Sequence, residues 1–559
     1  MIWRYRAVLI ILILAFLAVL SRLFYWQVVK AEDLSRLGQS QYERSINILP
    51  QRGEIKTSDN FQIVTNRISY LVFANPKQIK NKNETSIILS SELGIDKASV
   101  SSQLSMDKYW ISLKTGIDTQ EKKKIEDLRI QGVDFEETFT RFYPEASMAA
   151  HLLGFVGKDD LGKDKGYFGL EGYYDRLLRG KEGAVIEVFD ALGRPVLAQA
   201  SSNPENLKGN SLVLNIDRAV QFITDEKLKK GIKKYGAAGG IVAVMEPKTG
   251  NIIALSSFPS FSPSEYGKFD SSLYKNPSIS NLYEPGSTLK PLIMSAALDA
   301  GIVKPQTKCS ICDKPVSVGG YEIRTWNDEY FKDINMVDVI RRSDNTGMVF
   351  VGQKLGADRM TDYLTKFGIG TGTGIDLQGE VYQALPPKDK WYEADLATRA
   401  FGQGISVTPI ELLDSFSSIA NGGIRMEPHV VREIQTPEGK TIKIAPKALG
   451  RTISENTSKV MTEMLVNAVN KGEASYARVK GYRIAGKTGT ASIPIAGHYD
   501  PNKTVASFIG YAPADNPKFA MLVIFNKPTT SIYGAETAAP VFFDIARQLL
   551  LYYGISPTE

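Results

Sequence analysis

The sequence Tyr283-Glu-Pro-Gly-Ser287-Thr-Leu-Lys290-Pro-Leu-Ile-Met-Ser-Ala-Ala-Leu-Asp-Ala-Gly301 joins a turn to a helix. Pro-Gly predicts the turn, and the apolar residues after it recur at the three- and four-residue spacing of a helix buried on one side. Ser287 is therefore predicted at a helix start, where free backbone N–H groups and the helix dipole favour a developing oxyanion. Lys290, three residues later, is on the same helix face. Because a serine hydroxyl needs an adjacent base to act as a nucleophile, the pair indicates an acyl-transfer serine.

Ser-x-x-Lys is a weak motif by itself. The same spacing occurs at Ser105/Lys108 and Ser272/Lys275, and neither copy is followed by a comparable apolar helix. A capping serine with a solvated lysine is the ordinary interpretation of an isolated match. The Ser287 copy differs because two further motifs follow it.

The two downstream motifs are Ser343-Asp-Asn345 and Lys487-Thr-Gly-Thr490. The first is predicted in a loop at a helix end, where its residues could also form a simple Asx-type turn or cap. The second ends a predicted strand, and its small residues would let a substrate backbone approach and pair with it. Lys-Thr-Gly also occurs at Lys114–Gly116 and Lys248–Gly250, but only the Lys487 copy follows the other two motifs.

The composition is that of a globular protein. The chain has 559 residues, enough for two to four domains, with 43% hydrophobic and 23% charged residues. Its formal net charge is +6, and lysine and arginine are dispersed, without the clustered stripe of a nucleic-acid-binding protein. A mild positive charge suits work beside an anionic polymer or membrane.

The N-terminus predicts a membrane anchor. Ala7–Leu20 is an unbroken apolar run, too short at ~1.5 Å per residue to cross ~30 Å of hydrocarbon. Leu23–Val29 completes the span if Arg22 snorkels to the interface. A cleaved signal peptide is the alternative, but no small-x-small cleavage site follows. We therefore predict a cytoplasmic tail at residues 1–6, an uncleaved single-pass anchor at residues 7–29, and the remainder outside.

The two cysteines, Cys309 and Cys312, are separated by two residues. Outside the cytoplasm a disulfide is favoured, and free thiols are the main alternative. A zinc site would need two further ligands, and the chain has three histidines in all.

Two regions follow the anchor. Residues 30–210 have short strand patterns without a nucleotide-binding loop, an interpretable carboxylate pair or a repeat, which indicates a scaffold. Residues 211–559 have strand patterns near both ends and mostly helical patterns between them, which predicts one sheet with helices on its faces. The predicted strands are Leu212–Ile216, Gly240–Met245, Ile252–Ser256, Tyr482–Lys487, Val505–Tyr511 and Phe519–Phe525, and a closing helix is predicted around Pro540–Tyr553.

The three motifs, in this order, occur in class A β-lactamases and penicillin-binding proteins. With their flanking residues, the chain closely resembles the class B penicillin-binding proteins, the membrane-anchored peptidoglycan D,D-transpeptidases. Ser343-Asp-Asn-Thr-Gly-Met348 is similar to the division (septal) type, although Asp344 stands where that type more often has serine. The other segments that carry the resemblance are Tyr283–Pro291, Phe367–Gly370, Gly374–Leu377, Gly402-Gln-Gly404, Ala485–Ala491, Arg52-Gly53, Tyr143-Pro144, His151–Gly154 and Gly169-Leu-Glu-Gly172.

The resemblance implies an architecture. The expected fold is the α/β (α+β) serine penicillin-recognising transpeptidase fold, an antiparallel sheet flanked by helices, in residues 211–559. Residues 30–210 would form a mixed α/β pedestal of the dimerisation type above the single transmembrane helix.

The resemblance also implies a role for each motif residue. Ser287 would attack the penultimate D-Ala carbonyl of a stem peptide ending in D-Ala-D-Ala, and Lys290 would take its proton. Backbone N–H groups of Ser287 and Thr490 would form the oxyanion hole. Ser343 and Lys487 would relay a proton to the departing D-Ala, and Asn345 would hold the peptide amide. Thr488, Gly489 and Thr490 would bind the substrate. No metal or organic cofactor is expected.

The resemblance implies a bacterial inner-membrane protein with an extracytoplasmic catalytic domain. Its expected partners are peptidoglycan stem peptides, β-lactams, a SEDS-family glycosyltransferase and divisome proteins, and not nucleic acid. Two alternatives stay open at this point. One is a D,D-carboxypeptidase or β-lactamase-type hydrolase, with water as acceptor. The other is a largely non-catalytic scaffold, a β-lactam sensor or an activator of the glycosyltransferase.

Overall fold

A computed structural model describes residues 2–48, 50–145, 148–160, 162–181, 183–189, 195–200, 207–495 and 498–558. The chain divides into two compact units, one made of Met1–Gln51 with Gly180–Gly209 and the other of Arg52–Arg179 with Asn210–Glu559.

The α-helices of these described residues are α1 (Ile2–Phe24), α2 (Ala31–Tyr42), α3 (Lys82–Leu93), α4 (Lys97–Ser105), α5 (Thr119–Asp127), α6 (Ala150–Leu153), α7 (Gly169–Tyr173), α8 (Asp175–Leu178), α9 (Arg218–Tyr235), α10 (Pro277–Ser280), α11 (Lys290–Asp299), α12 (Met336–Arg341), α13 (Asn345–Phe367), α14 (Glu393–Arg399), α15 (Pro409–Ala420), α16 (Glu455–Lys471) and α17 (Ala538–Tyr552).

The strands are β1 (Glu43–Ile48), β2 (Ile55–Lys56), β3 (Gln62–Ala74), β4 (Ile111–Ile117), β5 (Val133–Phe142), β6 (Phe155–Lys158), β7 (Asp164–Tyr167), β8 (Gly183–Phe189), β9 (Pro195–Ala200), β10 (Ser211–Leu214), β11 (Gly239–Met245), β12 (Ile252–Phe258), β13 (Val316–Val318), β14 (Tyr321–Ile323), β15 (Ile424–Met426), β16 (Val431–Gln435), β17 (Thr441–Lys443), β18 (Ala448–Arg451), β19 (Ala485–Ile495), β20 (His498–Ala512) and β21 (Phe519–Asn526).

The first unit contains the N-terminal helix and a small sheet. Helix α1 continues through a π-helical turn, Tyr25–Val29, and the segment Ile2–Val29 is long and apolar enough to cross a membrane. The Arg22 guanidinium lies 5.0 Å from the centroid of the Trp26 ring. Strands β1, β8 and β9 form an antiparallel sheet in the order β1-β8-β9.

The second unit is built on a five-stranded antiparallel sheet in the order β12-β11-β21-β20-β19. Alternate residues of β11 point to opposite faces, as the two-residue period of a strand requires. Val242 and Val244 pack in the core that contains α9 and α17, whereas Ile241 and Ala243 pack in the core that contains α11 and α15. The prediction of a sheet with helices on its faces is confirmed for five of the six predicted strands.

A second, mixed sheet has the order β17-β16-β10-β2-β3-β4, with β5 also paired to β3. The strand predicted at 212–216 lies here as β10, and not in the five-stranded sheet. Its residue Leu212 pairs in parallel with Ile55 of β2 and antiparallel with Ile434 of β16. The prediction that this strand belongs to the same sheet as the others is therefore wrong, because a short apolar run indicates a strand but does not specify its neighbours.

Candidate active site

Ser287 lies in a 3-10 turn, Gly286–Thr288, immediately before α11. Gly286 has a φ of 54°, and its N–H donates to the Gly402 carbonyl at 3.0 Å. A Cβ on Gly402 would lie 2.1 Å from the Gly286 carbonyl oxygen, so the Gly402-Gln-Gly404 segment can pack here only without a side chain at its first residue. This close backbone contact fixes the turn that presents Ser287, which is itself half-buried.

The turn packs against β19, the strand that carries the Lys-Thr-Gly motif. A Cβ on Gly489 would lie 2.7 Å from Cγ2 of Thr288. Among the residues that the structure describes, β19 is paired with β20 on one side and with no strand on the other. The edge of the sheet is therefore open beside the Ser287 turn.

Lys290 is completely buried and reaches the Ser343-Asp-Asn345 loop. Its Nζ donates to the Ser343 carbonyl at 2.6 Å, to Oδ1 of Asn345 at 2.8 Å and, more weakly, to Oγ of Ser343 at 3.4 Å. The Ser287 hydroxyl is not among these described partners. The amine is thus held by the second motif, one helical turn from the serine.

Ser343 is the centre of this polar cluster. Its Oγ accepts from Nζ of Lys487 at 2.9 Å, so the hydroxyl lies between the two buried lysines. Its backbone has a φ of 56°, a left-handed conformation that costs a non-glycine residue about 1–3 kcal/mol. The neighbouring Asp344 caps α13 by accepting from the Gly347 N–H at 2.7 Å. That cap explains how an aspartate is accommodated here.

The two lysines influence each other. Burial, together with the nearby Lys487 ammonium, lowers the pKa of Lys290 to about 7, although Asp344 and Glu473 act in the opposite direction. Burial also lowers the pKa of Lys487, and Glu473 opposes that change. Both effects follow from removing a cation from water and from placing like charges together.

The remaining motif residues also make hydrogen bonds in this region. Lys487 also donates to Oγ1 of Thr488 at 3.0 Å, and Thr490 accepts from the Gly534 N–H at 3.0 Å. Nδ2 of Asn345 donates to the Arg324 carbonyl at 2.9 Å, so both ends of its amide are engaged.

The structure thus joins five of the predicted site residues in one hydrogen-bonded cluster: Lys290, Ser343, Asn345, Lys487 and Thr488. Ser287, Gly489 and Thr490 lie beside it.

The other Ser-x-x-Lys copies are elsewhere. Ser105 ends α4, where its hydroxyl donates to the Ser101 carbonyl at 2.8 Å, and Ser272 lies in a 3-10 turn. Sequence reasoning missed Glu473 and Gly534, because neither belongs to a motif.

Cys309 and Cys312 form a disulfide with a Cα–Cα distance of 5.7 Å, and both are buried. The Cys309 N–H donates to Ile334, and the Phe331 N–H donates to Cys312. These two backbone hydrogen bonds join the ends of the loop that carries Arg324, and the disulfide links the two cysteines at one of those ends.

Comparisons with known families agree with these observations. Residues 240–547 match the penicillin binding protein transpeptidase domain, and residues 47–214 match the penicillin-binding protein dimerisation domain.

Two relatives align along almost the whole chain. Stage V sporulation protein D of Bacillus subtilis is 35% identical, covering 99% of this chain and 86% of that protein. The peptidoglycan D,D-transpeptidase FtsI of Escherichia coli is 27% identical, covering 99% of this chain and 92% of that protein. The crystal structure of a peptidoglycan synthetase from Bifidobacterium adolescentis superposes with a TM-score of 0.73 at 25% identity, covering 92% of this chain and 98% of that one.

Proposed function

Because this chain belongs to the class B penicillin-binding proteins, we propose that it is a peptidoglycan D,D-transpeptidase that works through an acyl-enzyme on Ser287. The observation that carries the proposal is the contact of the three motifs in one cluster beside an open strand edge. Ser343 touches both Lys290 and Lys487, and the Ser287 turn packs against the strand that begins with the Lys487 motif.

The first half of the reaction forms the acyl-enzyme. Ser287 Oγ attacks the carbonyl carbon of the penultimate D-Ala, and its proton passes to the neutral Lys290 amine. Backbone N–H groups of Ser287 and Thr490 stabilise the oxyanion, a kind of donor worth about 2.7–4 kcal/mol when one is removed. The C–N bond to the terminal D-Ala then breaks, and a proton delivered through Ser343 and Lys487 lets it leave as an amine.

The second half transfers the peptide. An amine from a neighbouring stem peptide attacks the ester carbonyl and gives its proton to Lys290. The bond to Ser287 Oγ then breaks, Lys290 returns the proton to that oxygen, and the new amide bond is the cross-link. Asn345 holds the peptide amide, and Thr488, Gly489 and Thr490 bind the substrate terminus along β19. β-Lactams carry a reactive amide in place of the D-Ala-D-Ala bond, so they would acylate the same serine.

The same proposal assigns the rest of the chain. Residues 7–29 anchor the protein in the bacterial inner membrane with residues 1–6 in the cytoplasm and the catalytic region outside. Residues 30–210 serve as a pedestal and docking surface for a SEDS-family glycosyltransferase and divisome proteins, and residues 211–559 carry the chemistry. Relatives that include a sporulation protein and FtsI support a role in building the septal wall.

Mass spectrometry tests the nucleophile. After reaction with a fluorescent penicillin, we expect one adduct per intact chain, on the peptide that contains Ser287. Ser287→Ala should remove the adduct and leave the thermal unfolding midpoint close to that of the unmodified protein. Ser105→Ala and Ser272→Ala are the matched controls, because each alters another Ser-x-x-Lys copy. An adduct on either of those serines would disprove the assignment.

A second measurement separates transfer from hydrolysis. Purified stem pentapeptide is supplied with and without an amine acceptor, and the products are resolved by chromatography. A transpeptidase gives the acceptor-linked peptide with release of D-Ala. Formation of the tetrapeptide alone, even with the acceptor present, would favour a D,D-carboxypeptidase.

A further inference from the structure

Glu473 lies beside the active site although it belongs to none of the three motifs. It follows Gly472, the residue that caps the C-terminus of α16. A Cβ on Gly472 would lie 2.3 Å from the Ala468 carbonyl oxygen and 2.9 Å from that of Arg341, so the chain can press against the end of α12 here only through glycine. That approach places the Glu473 carboxylate next to β19, the strand that carries Lys487.

A directed chain of hydrogen bonds links Glu473 to the catalytic lysine. Thr488 Oγ1 donates to Oε2 of Glu473 at 3.0 Å, and Lys487 Nζ donates to the same Thr488 oxygen at 3.0 Å. The direction is fixed, because an ammonium only donates and a carboxylate only accepts. The Thr488 hydroxyl therefore turns its hydrogen to Glu473 and a lone pair to Lys487.

The charge of Glu473 affects the pKa of both catalytic lysines. Burial favours the neutral form of both Lys290 and Lys487, and Glu473 raises the pKa of each against that effect. For Lys487, Glu473 is the charged neighbour that acts in this direction among the described residues. Asp344 also raises the pKa of Lys290. Its Oδ1 accepts hydrogen bonds from the Thr346 hydroxyl and the Gly347 N–H at the start of α13.

The other charged groups near Glu473 are three cations and two carboxylates. Arg341, Arg342, Lys471, Asp344 and Glu329 line, with Glu473, a cavity of about 160 Å³. The second carboxylate oxygen of Glu473 is buried and has no hydrogen-bond partner among the described residues. Glu473 therefore contacts the catalytic strand through one carboxylate oxygen, which accepts the hydrogen bond from Thr488.

We propose that Glu473 is a positioning residue that keeps Lys487 charged and directed at Ser343 while Lys290 remains available as the base. This inference rests on the proposed acyl-transfer function. It explains how one buried lysine can act as the base while the other stays charged. Two like groups in one site perform different steps when their surroundings separate their proton affinities. Glu473 raises the pKa of both lysines, but among the described residues its hydrogen-bonded link through Thr488 leads to Lys487 and not to Lys290, so its effect is stronger on Lys487.

The test is the pH profile of acylation in the full-length protein. The second-order rate of labelling by a fluorescent penicillin is measured across pH for the unmodified protein and for Glu473→Gln. The acid limb of the profile follows loss of the proton from Lys290, and the alkaline limb follows loss of the proton from Lys487. Gln keeps an oxygen that accepts from Thr488 but removes the charge, so the pKa of both lysines should fall and both limbs should move to lower pH, the alkaline limb farther. A one-unit shift means a roughly tenfold lower rate at a fixed pH on that limb.

Three further variants sharpen the result. Glu473→Asp keeps the charge and should restore the alkaline limb toward its original position. Glu463→Gln is the matched control, since Glu463 is a carboxylate on α16 that pairs with Arg483 and should leave the profile unchanged. Thr488→Val leaves Glu473 in place but breaks the link, and should shift the alkaline limb in the same direction as Glu473→Gln.

A uniformly slower Glu473→Gln enzyme with both limbs unmoved would overturn the proposal, because a structural role alone predicts that outcome. If thermal unfolding shows that Glu473→Gln does not fold, Thr488→Val decides, and an unshifted alkaline limb in that variant is the contrary result. An unmodified protein that is never labelled at Ser287 would instead disprove the proposed function, so the two failures are distinguishable.

Discussion

Lys290 is completely buried, and a charge at its amine would lose most of its hydration. Burial and the neighbouring Lys487 lower the pKa of Lys290 to about 7. Since only the neutral amine can accept a proton from Ser287, the rate of penicillin acylation should rise as the pH increases through about 7 and fall below it. Stopped-flow labelling at a series of pH values measures this limb.

Lys290→Arg should then be inactive at every pH in that range. An arginine stays protonated and cannot act as a base, and losing a positioned base typically lowers a rate by about 10²–10⁴-fold. Lys366→Arg, which makes the same change at the end of α13, is the control and should react like the unmodified protein. Near-normal labelling of Lys290→Arg would show that another group takes the proton.

At the residue scale, the order of motifs in the sequence predicted the members of the cluster but not how they contact one another. Ser287, Lys290, Ser343 and Lys487 are separated along the chain, and a known motif set was needed to group them. Glu473 could not be predicted, because its place depends on the close approach of Gly472 to the Arg341 carbonyl. Such a contact between distant residues leaves no periodic or local pattern in the sequence.

Among the elements, β19 depends on a backbone contact that allows no side chain. A Cβ on Gly534 would lie 2.2 Å from the Gly489 carbonyl oxygen and 2.4 Å from that of Ser507. Gly534→Ala should therefore push its loop away from β19 and move Thr490, whose hydroxyl accepts from the Gly534 N–H. We expect a loss of about 1–3 kcal/mol in the free energy of unfolding and slower acylation of the folded fraction.

Urea unfolding and penicillin labelling of the same preparation measure both effects. Gly267→Ala is the control, because a Cβ at Gly267 meets nothing within 4 Å and its backbone is not left-handed. Equal stability of the two variants would mean that the contact at Gly534 relaxes without strain.

The elements themselves were largely predictable. The turn at Pro285 and the apolar spacing after it gave α11, and the two apolar runs around Glu246–Gly250 gave the β11–β12 hairpin. The strand predicted to end at Lys487 instead continues to Ile495, since pairing with β20 supports residues whose own sequence has no clear strand period. The neighbours of β10 were not predictable, because pairing across hundreds of residues leaves no local pattern.

Across the whole molecule, residues of the predicted pedestal share a compact unit with the catalytic region. Within that unit, the Tyr174 hydroxyl donates to Asp376 at 2.9 Å, and the Phe168 N–H donates to Oε1 of Gln378 at 2.6 Å. The Gly169–Gly172 segment, singled out in the sequence by resemblance alone, thus lies at a junction. Composition could indicate a scaffold there but could not indicate which catalytic residues it contacts.

The centre of this junction is a buried cluster of charges. Glu171 is fully buried and accepts from Nε of Arg52 at 2.6 Å and from Nε of Arg141 at 2.7 Å, while Arg52 also pairs with Asp175 at 2.8 Å. Burial acts to raise the pKa of the Glu171 carboxyl, but the two arginines outweigh it, and the pKa lies below its usual value. Its contribution to stability is therefore present above the ordinary glutamate pKa and is lost as the pH falls through the lower, folded-state value.

Glu171→Gln should destabilise the fold without altering the chemistry. The change leaves two buried guanidinium groups short of one negative charge, and breaking a buried ion pair typically costs about 3–5 kcal/mol. Acylation per folded molecule should stay at the level of the unmodified protein, because neither Glu171 nor its partners belong to the Ser287 cluster. Urea unfolding gives the first quantity, and labelling normalised to the folded fraction gives the second.

Glu137→Gln, an exposed carboxylate on β5, is the matched control and should change neither quantity. Two outcomes would contradict the expectation, and they mean different things. Unchanged stability of Glu171→Gln would show that the charge cluster relaxes without loss. A slower reaction of the folded Glu171→Gln protein would show that residues 30–210 help to build the active site, so their proposed role as a pedestal alone would be wrong.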